Sequence, residues 1–398
     1  MPDTQMDHVE QVLTRGVHEI LPSKNSLQQL MGEKKIRLYL GIDPTGSFLH
    51  LGHAVLLRKL QQFAELGHQV ILLVGNGTVR IGDPTGRDES RPMLDDATIM
   101  TNFQAWKEQA SKILDFDRIE IRYNGDWLDK LSYADMVKLM AKTTVQQLLE
   151  RDMFQKRMKE GLPIHGHEII YPLLQGYDSV VMDVDLEIGG TDQTFNMLMG
   201  RHLQDQYNHR QKWVLSTPLI EGTDGRKMSK SYNNYVALTE NPRDMYGKLM
   251  RVADELIIKY FELLTDVSNA EIANMQEAML AGNNPMEFKK KLAWTITRSL
   301  HNQQLADEAA DFFAKTVQGD EMPEEEQFGI MTITDTTIST QPEISSSELN
   351  RRLQQGAVKL LPSLDKITTR QALFALADGT KLKLGKREWY RVQRTNHD

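Results

Sequence analysis

The chain contains no cysteine in its 398 residues. That excludes a disulfide framework, a zinc ribbon and thiol catalysis together. It also lacks any long apolar run. The longest, such as Val70 to Val74, have the length of a strand and cannot span a bilayer. The first residues, Met1 to Glu10, are polar and partly acidic, with neither an apolar core nor an Arg-rich amphipathic pattern, so no signal or transit peptide is expected. A soluble cytoplasmic protein is the default reading. Positive charge is outweighed: 47 Lys and Arg face 55 Asp and Glu, a formal charge of −8. The chain as a whole is therefore not an evident nucleic-acid binder, although binding depends on where the positive charge sits. No repeat of the solenoid kind is present. The length implies two or three domains.

What is present begins with a strand pattern. Ile36, Leu38, Leu40 and Ile42 alternate over Lys35 to Ile42. Asp43-Pro44-Thr45-Gly46 is turn chemistry. From His53 to Leu66, Leu56, Leu60 and Phe63 recur at helical spacing, and Gly67 stands where a helix cap belongs. Val70 to Val74 then reads as a buried strand. Strand, helix and strand make a βαβ unit with a right-handed crossover. His50-Leu51-Gly52-His53 falls at the start of the crossover helix, where ligands of open α/β sheets bind and where free N–H groups attract phosphate.

A second turn, Gly82-Asp83-Pro84-Thr85-Gly86, leads to an amphipathic helix bearing Ile99, Phe103, Trp106, Ala110 and Ile113. Arg118 to Tyr123 is a further strand. Tyr133 to Lys159 is helical in pattern, with Thr144 and Gln147 in capping-box register, and reads as an insertion between two halves of the sheet. Val180 to Ile188 is expected as strand and Gln193 to Gln204 as helix. Asn241 to Val317 consists almost wholly of helix formers, Gln318 to Gln341 is acidic and irregular, and the balance turns basic from Ser345. The expected organisation is a parallel-sheet domain over 1–240, with a helical insertion near 126–165 and a loop at 221–235. An all-helical domain over 241–320, a linker over 321–342 and a small domain over 343–398 complete it.

Four groups of residues could carry chemistry. His50 and His53 could stabilise charge on phosphates, and Gly52 would let a purine pack on the backbone. The duller reading is two surface histidines by chance. No third ligand at suitable spacing supports metal binding. The loop Glu221 to Ser231 has two glycines and ends in Lys227-Met228-Ser229-Lys230-Ser231, which suits a leaving pyrophosphate, against a solvated basic turn. Tyr171, Gln175 and Asp178 share one helix face among apolar residues, so something must satisfy them: a ligand or an internal network. Asp83, Asp192 and Gln193 lie on glycine turns at strand ends and could accept from an amino group or ribose, or merely make Asp turns and caps.

In order, Tyr39-x-Gly41-x-Asp43-Pro44-Thr45, His50-Leu51-Gly52-His53, Gly82-Asp83-Pro84, Tyr171-x-x-x-Gln175-x-x-Asp178, Gly189-Gly190-x-Asp192-Gln193 and Lys227 to Ser231 resemble the class I aminoacyl-tRNA synthetases, and among them the bacterial tyrosyl-tRNA synthetases. The resemblance runs from about Tyr39 to the C-terminus. The tail, Ser346 to Leu360 with Thr380 to Val392, resembles a small RNA-binding domain shared with a ribosomal protein. What the resemblance implies is a Rossmann-like α/β catalytic domain with a helical insertion, then a helical domain and a small α+β RNA-binding domain. Tyr39 and Asp178 would bind a substrate phenol. Asp83, Tyr171 and Gln175 would hold its α-ammonium, with Gln193 near the carboxylate. Asp192 would meet the ATP ribose, Thr45, His50 and His53 the phosphates, and Gly52 the adenine. Arg87, Arg91, Lys227 and Lys230 would embrace pyrophosphate. L-tyrosine, ATP and tRNA(Tyr) would be the substrates, with no tightly bound cofactor and Mg²⁺ carried by the ATP phosphates. The family acts as a homodimer through the insertion, here roughly 126–157. One departure is Glu187, where many members carry Gln. A tryptophanyl enzyme, another nucleotidyltransferase and a silent RNA-binding paralogue are the rival readings.

Overall fold

A computed structural model describes residues 3–85, 95–228, 232–315, 328–334, 336–361, 363–385 and 388–395. The chain divides into two compact units, 1–303 and 304–398.

The first unit is built on six strands: β1 Glu19–Leu21, β2 Arg37–Ile42, β3 Gln69–Val74, β4 Ile119–Tyr123, β5 Leu186–Gly190 and β6 Trp213–Thr217. Their order is β1-β6-β5-β2-β3-β4, parallel throughout except that β1 runs against β6. From β2 the chain winds outward through β3 to β4, then returns to lay β5 on the other side of β2. That reversal opens a crevice beyond the carboxyl ends of β2 and β5. Leu38, Tyr39 and Leu40 are all buried, so β2 is covered on both faces rather than on the one face its alternation suggests.

The crossover helix Leu51–Glu65 follows β2, and Gly67 leaves it at φ +75°. One expectation is corrected and another refined. Val180 to Met182 belong to the helix Gly166–Met182, and the strand starts only at Leu186, because the left-handed cap Asp183 ends the helix there. The β-branched run Val180-Val181 imitates a strand, but helix packing decides it. The segment 133–159, read as helical in pattern, consists of three helices, Tyr133–Met140, Val145–Leu149 and Asp152–Lys159. The Thr144–Gln147 capping box starts the second of them. Strands β1 and β6 had no counterpart in the sequence reading.

The helices Pro242–Leu249, Ile257–Leu264, Asn269–Leu280 and Pro285–Leu300 belong to the first unit. Arg15 ties in the end of Ile257–Leu264 by donating to the carbonyls of Phe261, Glu262, Thr265 and Val267.

The second unit has a mixed sheet of order β10-β9-β11-β12-β7-β8. Its strands are β7 Gly329–Ile333, β8 Ile338–Gln341, β9 Val358–Leu360, β10 Lys366–Ile367, β11 Lys381–Leu384 and β12 Glu388–Arg394. The helices Ser346–Gln354 and Arg370–Phe374 accompany it, over a core that includes Met331, Leu349, Leu373, Leu382 and Tyr390. The expected linker 321–342 is corrected here, since it contains β7 and β8. The acidic stretch before them hid two short strands, of which β7 pairs with β12 some sixty residues on and β8 pairs with β7. No helix among the described residues is long and apolar enough to cross a membrane.

Candidate active site

The crevice beyond β2 and β5 is a cleft of about 360 Å³. Lining it are Tyr39, Thr45, His50, Gly52, His53, Asp83, Tyr171, Gln175, Asp178, Asp192, Gln193 and Lys227, which the sequence had placed on six separate segments. Arg87, Arg91 and Lys230 lie outside the described residues.

At one end stand Tyr39 and Asp178. Tyr39 rises from β2, wholly buried, and its hydroxyl lies 3.0 Å from Ser179 Oγ. The polar face of the helix Gly166–Met182 brings Asp178 there. Its carboxylate accepts from Trp127 Nε1 at 2.8 Å and Asn124 Nδ2 at 3.1 Å. Burial pushes this carboxyl well above the usual range, and the two N–H donors pull the other way. Burial likewise raises the Tyr39 hydroxyl, with Glu187 and Asp178 adding to it. A phenol is the kind of group this end suits: it can donate to a carboxylate and accept from a hydroxyl.

Next come the carboxylates. Tyr171 donates to Asp43 Oδ2 at 2.8 Å, and Thr78 donates to Asp43 Oδ1 at 2.8 Å. This carboxylate lies so close to Gly75 that a Cβ there would sit 1.9 Å from Oδ1, so only glycine fits. Asp83 accepts from the Thr85 backbone and hydroxyl and from Gln193 Nε2 at 2.7 Å. Asn196 holds the other end of the Gln193 amide at 2.9 Å. The part of the cleft between Asp43, Asp83 and Asp178 is thus rich in acceptors, a setting for an ammonium group.

The far end is the helix start. His50 is the N-cap of the crossover helix. Its Nδ1 accepts from Gly52 N at 3.1 Å, and His53 Nδ1 accepts from His50 N at 3.2 Å. With both Nδ1 atoms acting as acceptors, each neutral ring carries its proton on Nε2. Capping and chemistry are therefore compatible in the same two side chains. A Cβ on Gly52 would meet the His50 ring at 2.9 Å and Met228 Sδ at 3.6 Å, so the 221–228 segment lies directly against the His-Leu-Gly-His turn. That segment is anchored by a backbone β-bridge between Glu221 and Lys227, by Tyr260 donating to Glu221 O, and by Asn234 reaching Lys227 O at 3.1 Å. Burial raises the Asp192 carboxyl and Asp83 adds to this, while Lys227 opposes it. Among the described residues no group of three or more His, Cys, Asp or Glu is placed to hold a metal ion.

The sequence reading missed Thr78, Asn124, Trp127, Ser179 and Lys212. Asn124 follows β4 as Asp83 follows β3, and the same rule of functional groups at carboxyl ends of strands finds it. Glu187, flagged as a departure, forms an ion pair with the fully buried Lys212.

Comparison with known proteins agrees with this geometry. The family of class I tRNA synthetases (W and Y) matches residues 31–318. The tyrosine–tRNA ligase of Thermotoga maritima is 44% identical over 389 residues, spanning 96% of each chain. That of Moorella thermoacetica is 41% identical over 395 residues, spanning 96% of this chain and 94% of its own. In fold, the chain is similar to a C-terminally truncated mitochondrial tyrosyl-tRNA synthetase of Aspergillus nidulans, with a TM-score of 0.65 and 22% identity over 76% of this chain and 92% of that one. The tyrosyl-tRNA synthetase of Archaeoglobus fulgidus complexed with L-tyrosine gives a TM-score of 0.61 at 21% identity, over 77% and 99%. The chain belongs to the class I tRNA synthetases. Within that class it stands with the bacterial tyrosine–tRNA ligases.

Proposed function

We propose that this protein activates L-tyrosine with ATP and transfers the tyrosyl group to the 3′-terminal adenosine of tRNA(Tyr). The observation that carries the reading is the convergence of Tyr39 and Asp178 at one end of a cleft whose other end is the His50–His53 helix start and Lys227. Such a cleft suits a phenolic amino acid joined end to end with AMP.

In the first step a tyrosine carboxylate oxygen bonds to the α-phosphorus of ATP. The bond from that phosphorus to the bridging oxygen breaks, and pyrophosphate leaves with the electron pair. In the second, a terminal ribose hydroxyl of the tRNA attacks the activated carbonyl, loses its proton, and AMP departs. No protein nucleophile is needed, so catalysis is positioning and charge stabilisation. Tyr39 and Asp178 take the phenol; Asp83, Tyr171 and Gln175 take the ammonium; Gln193 lies by the carboxylate. Asp192 takes the ribose and Gly52 the adenine. Thr45, His50 and His53 meet the phosphates, and Arg87, Arg91, Lys227 and Lys230 the pyrophosphate. Magnesium enters as part of the ATP substrate.

The basic stretch from Ser345 onward takes the tRNA backbone. A homodimer through 126–157 fits the exposed apolar side chains there, Tyr133, Val137, Met140 and Val145. The cytoplasm is the expected site of action. ATP–pyrophosphate exchange measured with each of the twenty amino acids tests the reading: tyrosine alone should support it, and exchange driven by tryptophan instead would overturn it.

A further inference from the structure

Beneath the tyrosine end of the cleft lies a charge pair that the mechanism does not use. Glu187, on β5 directly opposite Tyr39 of β2, is 1% exposed. Lys212, just before β6, is 0% exposed, and its ammonium is paired with Glu187 Oε2 while also donating to Met197 O at 3.1 Å. Room for it comes from Gly200, where a Cβ would lie 2.4 Å from Lys212 Nζ and 2.7 Å from Ser179 Oγ. The other carboxylate oxygen, Oε1, accepts from Gln175 Nε2 at 2.9 Å.

We propose that Glu187 and Lys212 act as a positioning pair that fixes which way the Gln175 carboxamide faces, presenting its carbonyl oxygen to the α-ammonium of the amino acid. The inference rests on the tyrosine-activating reading above. A carboxamide has a donor end and an acceptor end, and a half-turn exchanges them. A glutamine at 187 could donate or accept, and so would allow either orientation. An ionised glutamate only accepts. It takes the amino end of Gln175, and Gln175 Oε1 is left for the cleft. Ionised glutamate at 1% exposure needs a counter-charge and hydrogen bonds, which Lys212 and Gln175 supply. The pair therefore converts a residue of ambiguous polarity into a fixed acceptor. A backward-facing amide would aim two N–H donors at an ammonium and repel it.

The test replaces both charges together, Glu187→Met with Lys212→Met, so that neither is left buried alone. In tyrosine-dependent pyrophosphate exchange the KM for tyrosine should rise about tenfold, with kcat and the KM for ATP within about twofold of the parent. Tyramine, which keeps the ammonium and lacks the carboxylate, should weaken as an inhibitor by the same factor as tyrosine. Desaminotyrosine, the same phenol without the ammonium, should bind unchanged. A pair that merely supports the fold would weaken all three ligands alike, and that result, or no change in any of them, overturns the inference. If the parent shows no tyrosine-dependent exchange, the proposed function itself fails, which is a separate outcome. Should the doubly substituted chain not fold, a crystal structure of the parent with tyramine decides. The ammonium is expected within hydrogen-bond reach of Gln175 Oε1, with Nε2 still on Glu187. An ammonium out of reach of Gln175, or a carboxamide turned away from Glu187, overturns it.

Discussion

Trp127 donates its indole N–H to Asp178 at 2.8 Å, joining the segment after β4 to the C-terminal part of a helix fifty-one residues on. Asn124 takes the other carboxylate oxygen from the same segment. These contacts aim a buried carboxylate that burial alone would drive toward its neutral form. Trp127→Phe keeps an aromatic ring and removes the donor. A hydrogen bond to a charged group contributes about 1.5–3 kcal/mol, so the KM for tyrosine should rise about ten- to a hundredfold, with the KM for ATP nearly unchanged. Exchange kinetics at varied tyrosine and varied ATP check this. Equal loss for both substrates would mean that Trp127 acts on the fold and not on Asp178.

His50 caps the crossover helix and faces the cleft, and the two roles can be separated. Asparagine is a good N-cap, so His50→Asn should keep the Gly52 contact and hold stability within about 1 kcal/mol. It removes the imidazole from the end of the cleft proposed to hold the phosphates. Loss of one such donor costs about a hundredfold in kcat, so exchange should slow by that order while tyrosine binding, followed by equilibrium titration, stays within about twofold. A parallel loss of tyrosine affinity would count against the phosphate role.

Much of this site could be read before any coordinates, because its residues sit where turn and helix chemistry are conspicuous. The glycines around Asp83 and Asp192, the helix start at His50 and the spacing of Tyr171, Gln175 and Asp178 are local signals. Lys212 was not legible. A lysine one residue before a strand reads as a surface charge, and only the return of β6 beside β5 buries it against Glu187. Trp127 was hidden for a similar reason: its partner is distant in sequence, and it was taken as the start of an insertion. The strand reading of Val180 to Met182 failed because β-branched residues carry no fixed backbone preference once a helix packs them. Strands β7 and β8 escaped because β7 is held by the distant β12, and composition points to their acidic surroundings instead.

His68 offers a pH test of the fold that is independent of catalysis. Burial, with Lys35 nearby, lowers its imidazole to about 4, and Nδ1 accepts the Ile36 N–H, a contact the neutral ring alone can make. The folded value lies below the unfolded value of about 6.5, so the unfolded chain binds the extra proton between the two. The contribution to stability is complete above about pH 6.5 and is lost as pH falls toward 4, amounting to about 3 kcal/mol. Urea unfolding should show the parent losing about that much more than His68→Gln between pH 7 and pH 4. Parallel pH profiles for the two proteins would assign the acid sensitivity elsewhere.

The position of β7 decides where the chain can be cut. It runs parallel to β12, from Gly329 beside Tyr390 to Ile333 beside Arg394, and β8 pairs on its other side. Ending the chain at 342, the boundary suggested by composition, would leave these two strands without β12 and expose an unpaired edge, a template for aggregation. Ending it at Gln303 removes the second unit whole. The chain 1–303 should stay soluble and keep tyrosine-dependent exchange within about twofold, since every described residue of the cleft lies within it. Its charging of tRNA should fall by about a hundredfold, because contacts to RNA phosphates supply much of the affinity. Light scattering of the two truncations, with exchange and aminoacylation measured side by side, checks both halves. Full aminoacylation by 1–303 would show that the second unit, with its basic stretch from Ser345, does not hold the tRNA.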